Sequence, residues 1–116
     1  YGPADSTASV AEAAIQISAP INHARFGDGV RLTDLNNDGE LDLIVTAPDA
    51  SLEEANQGAL YIEYGPITGE YFDEVLLGDA ADVQLGSSVA NTTEGLFVGA
   101  HHSGLGTGSV YLLDWQ

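Results

Sequence analysis

Two stretches of this chain repeat one another in order, and that self-similarity constrains the fold more than any other feature. The first reads RFGDGVRLTDLNNDGELDLIVTAP from Arg25 and continues, after a loop, as QGALYIEYGP. The second reads QLGSSVANTTEGLFVGAH from Gln84 and continues as TGSVYLLDW. Phe26-Gly27 aligns with Leu85-Gly86 at an offset of 59. Leu43 to Ala47 aligns with Leu96 to Ala100 at 53, and Gly58 to Tyr61 with Gly108 to Tyr111 at 50. The second copy is the first with two loops shortened.

Each copy holds short apolar or alternating runs bounded by Gly, Asn, Asp and Pro, the pattern of strands and turns. Leu60, Ile62 and Tyr64 share one face of a period-two strand, with Ala59, Tyr61 and Glu63 on the other. Leu41 to Ala47 is nearly all apolar and predicts a strand buried on both faces. Phe72 to Leu77 and Ile15 to Ser18 are further candidate strands, each ahead of a Phe/Leu-Gly element, and Ala8 to Ala14 has helical propensity. The expectation is an all-β chain of about eight strands in two four-stranded units. One strand lies near Ile15, three in the first copy, one near Val75 and three in the second. Tyr-Gly-Pro occurs at Tyr1-Gly2-Pro3 and again at Tyr64-Gly65-Pro66, where it follows the third strand of a unit. That phase predicts a chain that begins with an outer strand and stops on an inner-to-middle one.

Charge narrows the function classes. Among 116 residues there are 18 acidic and 2 basic, a net charge of −16, and the basic pair is Arg25 and Arg31. Nucleic-acid binding depends on cations neutralising phosphates, and anionic membranes attract polybasic segments, so neither partner is expected. Lysine chemistry is excluded, and the absence of cysteine excludes disulfides and thiolate sites. With 44% hydrophobic residues the chain is expected to form one folded domain. No run approaches the ~18 apolar residues of a membrane helix. Methionine is absent, so position 1 is not an initiator, and a processed product or a piece of a longer protein is expected.

The chemistry is carried by Asp34-Leu35-Asn36-Asn37-Asp38-Gly39-Glu40-Leu41-Asp42, of form D-x-N-x-D-G-x-x-D. A hard cation takes six to eight oxygens in a flexible shell. Asp34, Asn36 and Asp38, at alternate positions, can converge when the backbone curls, and Gly39 supplies the sharp turn. Glu40 would offer its carbonyl, and Asp42 would close the site from the start of the next strand. So many protein oxygens in one loop favour calcium over magnesium, with one site expected. An acidic turn without an ion is the bland alternative. Helical calcium loops fail, because position 12 is Val45 and Pro48 follows at once.

Phe26-Gly27, Asp34 to Gly39, Asp42 to Pro48 and Gly58 to Tyr61 together resemble an FG-GAP repeat, the blade unit of the integrin alpha-chain β-propeller. The resemblance implies a seven-bladed ring of four-stranded blades, with calcium in a hairpin loop held by Asp34, Asn36, Asp38, the Glu40 carbonyl and Asp42. It divides the chain into an outer strand and connector over 1–24 and a first unit with the calcium loop over 25–66. A second outer strand and connector follow over 67–83, then a degenerate unit over 84–116. The second unit departs from the pattern. Between Val89 and Leu96 it has only Ala90-Asn91-Thr92-Thr93-Glu94-Gly95, which predicts a tight hairpin and no ion, and it reads Gly99-Ala100-His101 where the family has Gly-Ala-Pro.

Two blades cannot close a ring that needs roughly 4–8. Assembly with further blades or with copies of itself is therefore expected, the strand near Ile15 completing the open blade of a neighbour. The implied function is a calcium-binding interaction module of secreted or extracellular type, with a protein or glycan ligand, and not an enzyme. The alternative is a non-catalytic propeller segment of a larger secreted hydrolase. Smaller signals add little. His101 and His102 are adjacent and would face opposite ways along a strand, the Gly104 to Gly108 run precedes a strand, and no G-x-S-x-G elbow accompanies the serines. Glu53-Glu54 and Asp79 with Asp82 are chance neighbours in so acidic a chain. Asn91-Thr92-Thr93 is a glycosylation sequon, and Trp115 is expected to pack between blades.

Overall fold

The computed structural model describes residues 15–18, 25–93, 95–101 and 108–114. Among these residues seven antiparallel strands form two sheets. The first is four-stranded, in the order β1 (Val30–Thr33), β2 (Asp42–Ala47), β3 (Ala59–Glu63) and β4 (Glu74–Leu77). The second is three-stranded, in the order β5 (Leu85–Thr92), β6 (Gly95–Ala100) and β7 (Ser109–Leu113). Each is a meander in which neighbours in sequence are neighbours in space. Among the described residues no helix is long and apolar enough to cross a membrane.

Alternation within β2 and β3 sorts their side chains into two cores. Ile44, Leu60 and Ile62 are fully buried against Val83, Leu85, Val89, Leu96 and Val98, which joins the first sheet to the second. Leu43, Val45, Ala47, Ala59 and Tyr61 face the other way and are covered by Ile17, Phe26, Ile67 and Phe72. Phe26, Tyr61 and Phe72 form an aromatic cluster with ring centroids 5.2–5.7 Å apart. β2 is therefore buried on both faces along its length, as its unbroken apolar run predicts.

The internal repeat holds at the level of single residues. β6 is β2 displaced by 53 and β7 is β3 displaced by 50, end to end. The ladders follow: Val30 pairs with Val45 as Val89 pairs with Val98, and Leu43 pairs with Glu63 as Leu96 pairs with Leu113. Backbone angles repeat too. Arg25 and Gln84 have φ of 54° and 56°, Gly27 and Gly86 94° and 96°, Gly58 and Gly108 81° and 82°. The shortened loop of the second copy is a two-residue connection closing Thr92 onto Gly95, the tight hairpin expected there.

Two expected strands differ. Ile15 to Ser18 is not a strand, because no neighbour pairs with its backbone among the described residues. The strand over Phe72 to Leu77 begins only at Glu74, since Phe72 turns into the aromatic cluster and Asp73 accepts the Tyr64 N–H through Oδ2. Among the described residues the eight strands expected are thus seven, and the second sheet has three. Tyr1 to Pro3, Ala8 to Ala14, His102, Ser103, Gly104, Gly106 and Trp115 lie outside the described residues.

Gly58 meets the second sheet through a bridge to Leu85, while its N–H donates to the Ala50 carbonyl and its carbonyl accepts from Gly78. A Cβ at Gly58 would run into the Leu85 backbone, whereas one at Gly27 would meet nothing within 4 Å. Both lie in the left-handed region, so alanine strains either by about 1–2 kcal/mol. Gly58→Ala adds overpacking of about 1–3 kcal/mol. Urea denaturation should give the Gly58 variant a clearly lower midpoint than Gly27→Ala; equal midpoints would contradict the close approach.

Candidate metal centre

The acidic loop joins β1 to β2, and its shape comes from its own carboxylates. Asn37 and Gly39 are left-handed, with φ of 60° and 88°, which turns the backbone N–H groups inward. Asp34 Oδ1 accepts from Asp38 N at 3.1 Å and Asp34 Oδ2 from Gly39 N at 2.9 Å. Asp38 Oδ1 accepts from Glu40 N at 2.9 Å. The Asn36 amide lies between Asp34 Oδ1 and Asp38 Oδ1, 3.1 Å from each. With its nitrogen inward it donates to both; with its oxygen inward it adds a third acceptor to theirs. Asp34, Asn36 and Asp38 are thus brought together.

Asp42 stands differently. It is fully buried at the start of β2, with Oδ2 accepting from Leu35 N at 2.7 Å and Oδ1 from Gly65 N at 2.8 Å. It ties the acidic loop to the turn after β3. Each oxygen keeps a further lone pair, since an ionised carboxylate has about four acceptor sites. Glu40 is exposed, and its N–H is committed to Asp38. Among the described residues no three acidic or histidine side chains form a ready metal cluster. The oxygens that do converge are two carboxylates and one amide, a hard donor set that suits a hard divalent cation.

Other functional candidates resolve as loop chemistry. Glu53 and Glu54 are exposed, and their N–H groups both donate to Gln57 Oε1. Buried Gln57 in turn donates from Nε2 to the Gly78 carbonyl at 2.9 Å. Asp82 accepts from the Asn56 amide. His101 and Asn91 are exposed.

The sequence reading did not single out Glu63 as an anchor, and only its inward position in β3 hints at one. Its Oε2 accepts from Thr68 N and Thr68 Oγ1, both at 2.9 Å, and its Oε1 from Gly69 N at 3.1 Å. Burial acts to raise the Glu63 carboxyl, but these hydrogen bonds outweigh it and hold it below the ordinary carboxylate range. The fold favours the ionised form, so this contribution is complete above the unfolded value and is lost as pH falls through the lowered one. Glu63→Gln should cost about 1–3 kcal/mol at neutral pH by facing donors with an amide N–H₂. The gap from the parent should narrow as pH drops below about 4. Urea melts across pH would refute this anchor if the gap stayed constant.

No curated protein matches the chain. Residues 26–62, which run from the Phe-Gly element through the acidic loop to β3, match the FG-GAP repeat family, whose repeats often bind Ca2+. The two antiparallel meander sheets, of which this matched segment supplies β1 to β3, are consistent with blades of that family.

Proposed function

We propose that this chain is a calcium-stabilised interaction module of extracellular type, built from β-propeller blades and working with further blades, and not an enzyme. The observation that carries the reading is the convergence of Asp34, Asn36 and Asp38 within an FG-GAP repeat. The side chains of Asp34, Asn36 and Asp38, the Glu40 carbonyl and Asp42 would hold the ion. When bound, calcium would supply full positive charge to a loop whose carboxylates otherwise meet only neutral N–H donors.

The residues do the remaining work. Asp34 and Asp38 orient the loop by accepting its N–H groups, and the Asn36 amide can turn its oxygen or its nitrogen inward at no change of backbone. Two carboxylates drawn to within about 4 Å of one another would repel by roughly 4 kcal/mol at an effective dielectric near 20, and a divalent cation would remove that repulsion. The net charge of −16 raises the local concentration of cations around the whole molecule. An exposed loop of this kind fits the weak, roughly 10⁻⁴–10⁻³ M range of extracellular calcium modules.

Calcium at about 100 times its Kd should stabilise the fold by about 2.7 kcal/mol, which corresponds to roughly 10 °C or more in Tm for a domain near this size. Thermal melts in calcium and in chelator test it, and identical curves up to saturating millimolar calcium would overturn the reading. Asn36→Asp provides a second test. It adds a charged ligand, so calcium should bind more tightly while the chelated protein melts lower than the parent. A variant with unchanged calcium affinity would remove Asn36 from the site.

A further inference from the structure

A groove of about 540 Å³ opens beside β3, a volume within the range of small-molecule sites. Tyr61 and Glu63, on one face of that strand, line it with Glu70, Tyr71 and Phe72 from the loop ahead of β4. The Tyr61 and Phe72 ring centroids are 5.2 Å apart, and Tyr71 is 66% exposed.

Two groups in this groove lack what burial ordinarily requires. Glu63 is 3% exposed, and hydrogen bonds from Thr68 and Gly69 keep it ionised. All of these donors are neutral, whereas a buried charge is ordinarily paired with an opposite one. Arg25 is engaged by Asp28 and Asp49, and no cationic side chain lines the groove among the described residues. Tyr61 is equally buried, and its hydroxyl has no hydrogen-bond partner among the described residues, although such groups are nearly always satisfied. The ladder itself does not demand an acid beside Tyr61. Leu113 pairs with Leu96 in the second sheet as Glu63 pairs with Leu43 in the first.

The missing complement is a positive charge with apolar flanks. A small metal ion needs several free oxygens, and three donors already occupy the Glu63 carboxylate. Aromatic rings favour a weakly hydrated organic cation instead. We propose that this groove binds a small alkylated ammonium compound, its cationic head against the Tyr71 and Phe72 rings and within the field of Glu63 and Glu70. A donor on the ligand gives the Tyr61 hydroxyl its partner. The net charge of −16 draws such a cation toward the molecule. The site shares no residue with the acidic loop, so it gives the interaction module a ligand class without depending on calcium.

Choline is the probe, and the alcohol in which carbon replaces its nitrogen is the uncharged control. In isotope-labelled protein at matched ionic strength, choline should shift the Gly69, Glu70, Tyr71 and Phe72 amides saturably, in calcium and in chelator alike. The uncharged control should bind several-fold more weakly. Tyr71 is exposed, so Tyr71→Ala should leave the Tm unchanged while weakening choline binding by roughly two- to thirty-fold, the range of a cation–π contact. Glu70→Gln, also at an exposed position, should weaken it several-fold. No saturable shift with choline, an equal response to the uncharged control, or undiminished binding by Tyr71→Ala would overturn the proposal. Calcium-dependent melting without choline binding would overturn this proposal alone and leave the metal reading standing.

Discussion

A strand buried on both faces needs a cover on each, and β2 imposes that requirement on everything around it. One cover is the second sheet, which takes Ile44 together with Leu60 and Ile62 of β3. Full burial of such side chains contributes about 1.5–3 kcal/mol each, so this junction carries much of what the fold gains from the hydrophobic effect. The other cover is assembled from Ile17, Phe26, Ile67 and Phe72. Phe26 is the counterpart of Leu85 and Ile17 of Leu76, so both covers draw on the same repeating positions. Repetition is thus a consequence of strand chemistry: a sheet of this kind is complete only when another presents the matching face.

The second organising fact is how an acidic chain disposes of its carboxylates. With two arginines for 18 acids, ion pairing cannot stabilise the loops. Arg25 reaches Asp28 at 3.2 Å and Asp49 at 3.7 Å, but it is exposed, and such pairs contribute about 0–1 kcal/mol. Asp34, Asp38, Asp42, Glu63 and Asp73 accept backbone N–H groups instead. Hydrogen bonds to a charged acceptor are roughly twice as strong as neutral ones, and they satisfy the donors that a turn leaves unpaired. The acids therefore act as local staples, each closing the loop in which it lies.

How far the sequence is legible follows from the range of each interaction. The strands of both copies, their faces and their offsets are readable because alternation and turn residues are local signals, and the 53 and 50 displacements reappear unchanged in the ladders. Ile15 to Ser18 has strand composition but no strand, because pairing is a property of the neighbour and not of the segment. Asp34, Asn36 and Asp38 are readable as a converging set because they sit at alternate positions of one loop. The two donors to Asp42 are not, since Gly65 lies 23 residues away and nothing in its own sequence marks it as a partner. Glu63 escaped notice for a related reason. Its strand face is readable, but the Thr68 and Gly69 donors that satisfy it come from the loop that follows β3.

Asp42 is where these threads meet. Its position at the start of β2 places it at the boundary between the acidic loop and the buried ladder, and its two oxygens hold residues on either side, Leu35 and Gly65. The turn it fixes leads into the loop that carries Ile67 and Phe72 onto the Leu43 and Tyr61 face, the same loop that Glu63 fastens from β3 and that Asp73, just ahead of β4, closes onto Tyr64. A Cβ at Gly65 would strike the Leu41 carbonyl, so only glycine lets the turn lie this close to the backbone beside Asp42. The shape of the candidate metal loop and the shape of the face that Ile17 covers are thus linked through one buried side chain. An isolated acidic turn would leave the sheet indifferent to its contents. Here the loop is joined by hydrogen bonds to the surface on which the next blade element rests.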